Sequence, residues 1–218
     1  MQWDDIGFLI SKNRYNENSV VAEFYTKNHG KSSGLIFGAT SKKVKNFLQL
    51  GNKLHLNYNY KNEGKIGYFK IEIMQAFTPR YFENKKKLFC ILSAMHLVKL
   101  LTVELQENTK VFNLLSNFFN IFDKDEWVKD YIFWELKLLE YVGFNLQLKN
   151  MVKCEIHNNK KKYYVQSKLE KRYIPNFLVE DNEENLNNKN IIQGLKLVED
   201  FLEKNVLKPN NLNYPTSR

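Results

Sequence analysis

Short runs of alternating apolar and polar residues fill the first eighty positions, and the alternation then gives way to helical spacing. Residues 5–12 form a short apolar run. Over Ser19–Thr26, Val20, Ala22 and Phe24 alternate with Val21, Glu23 and Tyr25. Asn28, His29 and Gly30 read as a turn, and residues 31–39 then set Ser33, Leu35 and Phe37 against Ser32, Gly34 and Ile36. Leu54, Leu56, Tyr58 and Tyr60 alternate with His55, Asn57 and Asn59, and a turn at Asn62, Glu63 and Gly64 leads into residues 65–75. A period of two sends successive side chains to opposite faces, so each run predicts a strand. Gly34 and Gly38 predict bulges or tight bends in a curved sheet.

Pro79 marks the change of period. From Glu83 onward Leu88, Ile91, Leu92, Met95, Val98 and Leu105 follow a spacing near 3.6 and predict a helix. Residues 111–122 predict a second. Asp123 to Glu126 has the form of a capping box and opens a third, which Gly143 stops. On this third helix Glu126, Asp130, Lys137 and Glu140 share a narrow strip. Trp127, Tyr131, Trp134, Leu138 and Val142 take the rest, so it is expected to be central and largely buried. Residues 150–188 are polar and predict a loop-rich insert, either held by packing of Tyr163, Tyr164, Ile174 and Phe177 or partly mobile. A last amphipathic helix spans residues 190–206, with Ile191, Ile192, Leu195, Val198, Leu202 and Val206 inward. The fold class is therefore α+β. Five strands of this length match a five-stranded OB-fold barrel over residues 1–79, followed by an α-helical domain over residues 80–218.

Charge changes the picture. The chain has 218 residues and a net charge of +9. Residues 1–80 carry 12 Lys and Arg against 6 Asp and Glu, so most of the excess lies on the barrel. Polyanions are the partners such a surface attracts. The skew to 29 Lys against 4 Arg, with 28 Asn, also fits an AT-rich coding sequence, which raises lysine without selection for binding. Two cysteines are too few to staple a chain of this size and fit a reduced, cytoplasmic setting. No run of about eighteen apolar residues is present, so no membrane partner is expected, and the first five residues lack the pattern of a signal peptide.

Lys42, Lys43 and Lys45, with Lys12, Arg14 and Lys31, are candidates for a phosphate-binding edge, and Lys85 and Lys86, followed by Lys87, extend it at the domain junction. Lysines act as point charges and hold a nucleic-acid backbone without reading its sequence. Tyr58, Tyr60, Tyr68 and Phe69 are candidate stacking platforms, although aromatic residues in strands more often form core or cross-strand pairs. Asp123, Asp125, Glu126 and Asp130 would be needed for a metal-dependent nuclease, but acids at a helix start are explained by capping and the dipole. The four histidines are scattered, and neither a nucleophilic triad nor a Gly-rich phosphate loop occurs, so the chain is not expected to be an enzyme or to hold a cofactor.

Three segments together resemble the bacterial DNA repair protein RecO family. Residues 7–19 look like the family's opening strand and its Arg-Tyr-x-Glu-x-Ser turn, here Arg14, Tyr15, Glu17 and Ser19. Residues 29–43 are similar to its third strand, which ends in Gly-Ala-x-Ser-Lys-Lys, here from Gly38 to Lys43. Residues 133–146 look like its helix ending in Gly-Phe-x-Leu, and Leu48 to Gly51 resembles a Leu-x-Pro-Gly turn. The similarity covers most of residues 5–150. It implies a recombination mediator, localised to the cytoplasm and the nucleoid, that binds single- and double-stranded DNA and anneals complementary strands. It also implies RecR as a partner and a role in placing RecA on DNA coated with the single-strand-binding protein SSB. The alternative of a different class is an RNA-binding or translation-associated OB-fold protein. Many family members carry a four-cysteine zinc site in the C-terminal half. Here Cys154 and His157 make one pair and no second pair follows, so no metal is expected.

Overall fold

The computed structural model describes residues 2–60, 66–144, 146, 148–157, 160–166, 171–180 and 187–212. Five strands close into a barrel in the order β1-β2-β3-β5-β4, with β1 Gln2–Arg14, β2 Ser19–Thr26, β3 Gly30–Phe37, β4 Lys53–Asn59 and β5 Tyr68–Gln75. All pairings are antiparallel except β3 with β5, which meet in parallel at Leu35 and Tyr68. Strand β1 is longer than residues 5–12 because it serves two partners. Residues 2–8 pair with β4 and residues 7–14 with β2, with a register shift between Leu9 and Ser11 that bends the strand. The inward positions carry Leu9, Ala22, Phe24, Ile36, Leu54, Leu56 and Phe69, all buried. Gly34 takes part in regular pairing and marks a close approach, since a Cβ there would lie 2.6 Å from the Phe69 ring. Gly38 turns the chain out of the barrel with a φ of 70°.

The basic cluster between β3 and β4 lies on a helix. Lys42–Phe47 is a short helix, α1, with Ser41 at its N-cap accepting from the Val44 amide. Beyond the barrel, the buried Asn52 side-chain oxygen accepts from the Phe77 and Thr78 amides and fixes the exit of the chain. Helix α2, Lys85–Leu101, is capped by Asn84 and buries Ile91, Ala94, Met95, Leu97 and Val98. It packs against β1 and β2. Leu105 lies outside this helix, contrary to the spacing argument: α2 ends at Leu101 with Thr102 as its C-cap, and Leu105 is 77% exposed with a φ of 56°. Helix α3, Thr109–Ser116, is capped by Asn108, and a 3-10 segment, Phe118–Asp123, replaces the expected continuation of that helix. The tighter turn brings Phe118, Phe119 and Phe122 together as buried aromatics, and Phe119 stacks on Phe77 at 4.1 Å. The stack on Phe77 ties this segment to the exit of the barrel, and the first compact unit runs through Lys124. The change of secondary structure at Pro79 is not a change of packing unit.

The second unit begins at Asp125. Helix α4, Trp127–Tyr141, buries Tyr131, Ile132, Trp134, Leu138 and Leu139, as its apolar face requires. The expected capping box is not formed, because Glu126 occupies the N-cap without a side-chain bond to the helix amides. After the single turn α5, Leu148–Met151, the expected loop-rich insert contains a three-stranded antiparallel sheet instead. Its strands are β6 Lys153–His157, β7 Lys160–Gln166 and β8 Lys171–Ile174. Helix α6, Asn188–Leu202, crosses α4 at Gly194, where a Cβ would meet Phe177 at 2.9 Å and Ile132 at 3.1 Å. A π turn, Glu203–Leu207, continues it and buries Val206 and Leu207. Ile192, expected inward, is 63% exposed because the buried stripe runs through Gly194, Leu197 and Val198.

Candidate nucleic-acid interface

Lys12 and Arg14 lie two residues apart on β1 and therefore share a face of the strand. Two loops bring a third cation to them. In the β1–β2 loop the Tyr15 and Asn16 amides donate to the Ser19 carbonyl. From that loop the Asn18 carbonyl accepts from the Ala39 amide at 3.1 Å, and its side chain accepts from the Thr40 hydroxyl at 2.6 Å. The start of α1 is thereby held beside the end of β1. The result is a cleft of about 440 Å³ lined by Lys12, Arg14, Asn16, Glu17, Thr40 and Lys45, among others. The Lys12 ammonium donates to the Leu48 carbonyl. Burial, and then the nearby Lys45 charge, push its pKa below the ordinary lysine value. Two ammonium groups and a guanidinium thus face one carboxylate, and an anion entering the cleft relieves the repulsion.

The other candidate cations are placed differently. Lys42 and Lys43 are exposed on α1 with Lys45 but do not line the cleft, and the Lys43 ammonium lies 6.0 Å from the Phe47 ring. Lys31 is a structural tie: its ammonium donates to the Lys99 carbonyl of α2 at 3.0 Å. Lys85 and Lys86 are exposed in the first turn of α2, also outside the cleft lining. Arg14 donates from Nε to the Asn16 carbonyl at 3.3 Å, which aims its guanidinium along the loop.

Of the candidate stacking residues, Phe69 is barrel core at 3% exposure. Tyr58 is enclosed by Trp3 at 4.8 Å and Phe69 at 4.9 Å. Tyr60 is half-buried. Tyr68 instead pairs with Phe37 across the β3–β5 seam, ring centroids 5.9 Å apart, and Phe37 is 58% exposed. Sequence reasoning missed Phe37. The signal was its place out of phase with Ser32, Gly34 and Ile36, which turn inward.

The acidic residues Asp123, Asp125 and Glu126 are exposed at the start of α4 and its approach. Among the described residues no three His, Cys, Asp or Glu side chains converge as metal ligands, and no helix is long and apolar enough to cross a membrane. Cys154 and His157 are three positions apart on β6, so they fall on opposite faces of the strand and do not form a ligand pair. Their donor set does not fit the four-ligand zinc site. Elemental analysis of the purified protein is expected to find no stoichiometric zinc, and chelator is expected to leave its melting temperature unchanged; one zinc per chain would contradict this geometry.

Comparison with known proteins places this geometry in a family. Residues 1–77 match the model for the recombination protein O N terminal domain, and residues 83–212 match that for the recombination protein O C terminal domain. The chain is 33% identical over 197 residues to the DNA repair protein RecO of Rickettsia canadensis, a match covering 84% of this chain and 80% of the relative. It is 33% identical over 199 residues to that of Rickettsia conorii, covering 84% and 82%. With that of Rickettsia typhi it shares 35% identity over 148 residues, 68% of this chain and 62% of the relative.

Proposed function

Because this chain belongs to the recombination protein O family of DNA repair proteins, we propose that it is a non-catalytic recombination mediator acting on single- and double-stranded DNA at the nucleoid. The observation that carries this reading is the cationic cleft beside the β1–β2 loop of an OB barrel, the loop such barrels use to engage oligonucleotides. Lys12, Arg14 and Lys45 hold backbone phosphates, and Lys42 and Lys43 add field at the rim. The exposed Phe37–Tyr68 pair offers apolar surface to unstacked bases. Contacts of this kind are indifferent to sequence, which suits a protein that pairs any two complementary strands. In this role the chain anneals DNA and, with RecR, helps place RecA on SSB-coated strands.

Titration of labelled single-stranded DNA across salt tests the electrostatic part. The three cleft contacts are expected to contribute about −2 to the slope of log affinity against log salt, with little dependence on base composition. Annealing of SSB-coated complementary strands tests the mediator role. Affinity that does not change with salt would overturn the cleft assignment. RNA bound in preference to DNA, with no annealing, would favour a translation-associated protein.

A further inference from the structure

The β6–β7–β8 sheet has two chemically distinct faces, and only one is used in folding. Tyr163 and Lys161 of β7 both bond to the Glu180 carboxylate, and the Tyr163 hydroxyl is pushed up to about 12, first by its hydrogen bond to Glu180. On the same face Arg172 of β8 pairs with Asp200 of α6, and Ile174 is buried. The cross-strand register puts Lys153 opposite Tyr164, Glu155 opposite Lys162, and Tyr164 opposite Tyr173 on the other face. That face is exposed at Lys153, Lys162, Lys171 and Tyr173, and Tyr173 as a whole residue is 48% exposed. Tyr164 and Tyr173 meet edge to face at 6.3 Å. The Lys171 ammonium sits 4.0 Å from the Tyr164 ring centroid, and Lys162 sits 5.9 Å from that of Tyr173. Among the described residues Glu155 supplies the one carboxylate of this face, bonded to Lys171 and to the Tyr173 hydroxyl.

Three ammonium groups around two tyrosines, on a small rigid sheet, form an arrangement that takes phosphates at its rim and bases at its centre. We propose that this face is a second site for single-stranded nucleic acid, with a base stacked on Tyr173 and neighbouring phosphates on Lys153 and Lys162. Its chemistry stands on the sheet alone; the identity of the strand as DNA rests on the function proposed above. Glu155 competes with an incoming phosphate for Lys171, so the contacts that gain affinity are those of Lys153 and Lys162. Two strand-binding sites on one chain raise the effective concentration of a second strand beside the first, which is what annealing requires.

The test uses the full chain and a short fluorescein-labelled oligothymidine followed by anisotropy. Lys153→Gln with Lys162→Gln is expected to lower affinity about tenfold and to reduce the magnitude of the salt slope by about 1.4, the value for two phosphate contacts on a single strand. Tyr173→Leu is expected to lower affinity about tenfold with the salt slope unchanged, because it removes stacking and no charge. In the unmodified chain, photocrosslinking with 5-iodouracil in the oligonucleotide is expected to mark Tyr173 or Tyr164. The proposal is overturned if both variants bind as the parent does and no crosslink falls in residues 153–174. Should those variants bind normally while glutamine at Lys12, Arg14 and Lys45 abolishes binding, the sheet proposal fails and the cleft reading stands. Should the sheet variants lose affinity while the cleft variant keeps it, the cleft reading fails and the sheet site stands.

Discussion

Substituting Lys12, Arg14 and Lys45 together by glutamine is expected to weaken single-stranded DNA binding by about a hundredfold at low salt. The three side chains line one cleft, and each is placed to hold a phosphate. A hydrogen bond to a charged group contributes about 1.5–3 kcal/mol, so three partly exposed contacts reach that loss even after solvent screening. Lys42→Ala with Lys43→Ala is expected to cost much less, because those side chains stand outside the cleft. Stability is expected to hold in both variants. Glutamine at position 12 keeps an N–H to offer the Leu48 carbonyl. The sign of the Lys12 shift points the same way. Its folded-state pKa is lowered, so its charged form is penalised in the folded protein at neutral pH, and a neutral side chain removes that penalty. Anisotropy titrations beside urea unfolding curves separate the two effects. Binding at parental strength by the triple variant would remove the cleft from the account.

What the sequence made legible, and what it hid, follows from how much each element buries. The barrel strands were readable because each puts an apolar set inward at every second residue, as Ala22 with Phe24 and Leu54 with Leu56 do. Lys12 and Arg14 share a face because β1 runs two residues beyond the apolar run, through Arg14. Lys45 could not be placed beside them from the sequence, since its approach depends on Asn18 reaching both Ala39 and Thr40 across the loops. Helix α1 was hidden because six residues are too few to show a 3.6 period and none of them is buried. The β6–β8 sheet was hidden for a related reason: its strands carry lysines on both faces and, among the described side chains, bury only Ile174 fully, so no alternation survives. Lys31 read as a surface charge, whereas its bond to the Lys99 carbonyl joins elements 68 residues apart. Tertiary partners of this kind leave no local trace.

Phe69→Ala is expected to destabilise the barrel by about 3–5 kcal/mol, the usual cost of truncating a buried phenylalanine. The ring meets Phe24 at 5.0 Å and Tyr58 at 4.9 Å, so its loss empties the centre of the aromatic cluster. Its place was made by Gly34. A Cβ at that position would fall 2.6 and 2.7 Å from two atoms of the Phe69 ring, closer than packed carbons approach. Gly34→Val alone is therefore expected to destabilise too, by about 1–3 kcal/mol from overpacking. The two changes should not add. Combined, the valine side chain enters the volume that the ring has vacated, and the double variant is expected to be more stable than the sum of the single effects by about 1 kcal/mol or more. Urea midpoints for the four proteins close this cycle. Strict additivity would mean that Gly34 and Phe69 do not share a space, and that the barrel closes by some other packing. A second readout separates core from interface: Phe69→Ala, measured well below its unfolding midpoint, is expected to leave the salt slope of DNA binding intact, because the ring is buried in the barrel and makes no contact at the cleft.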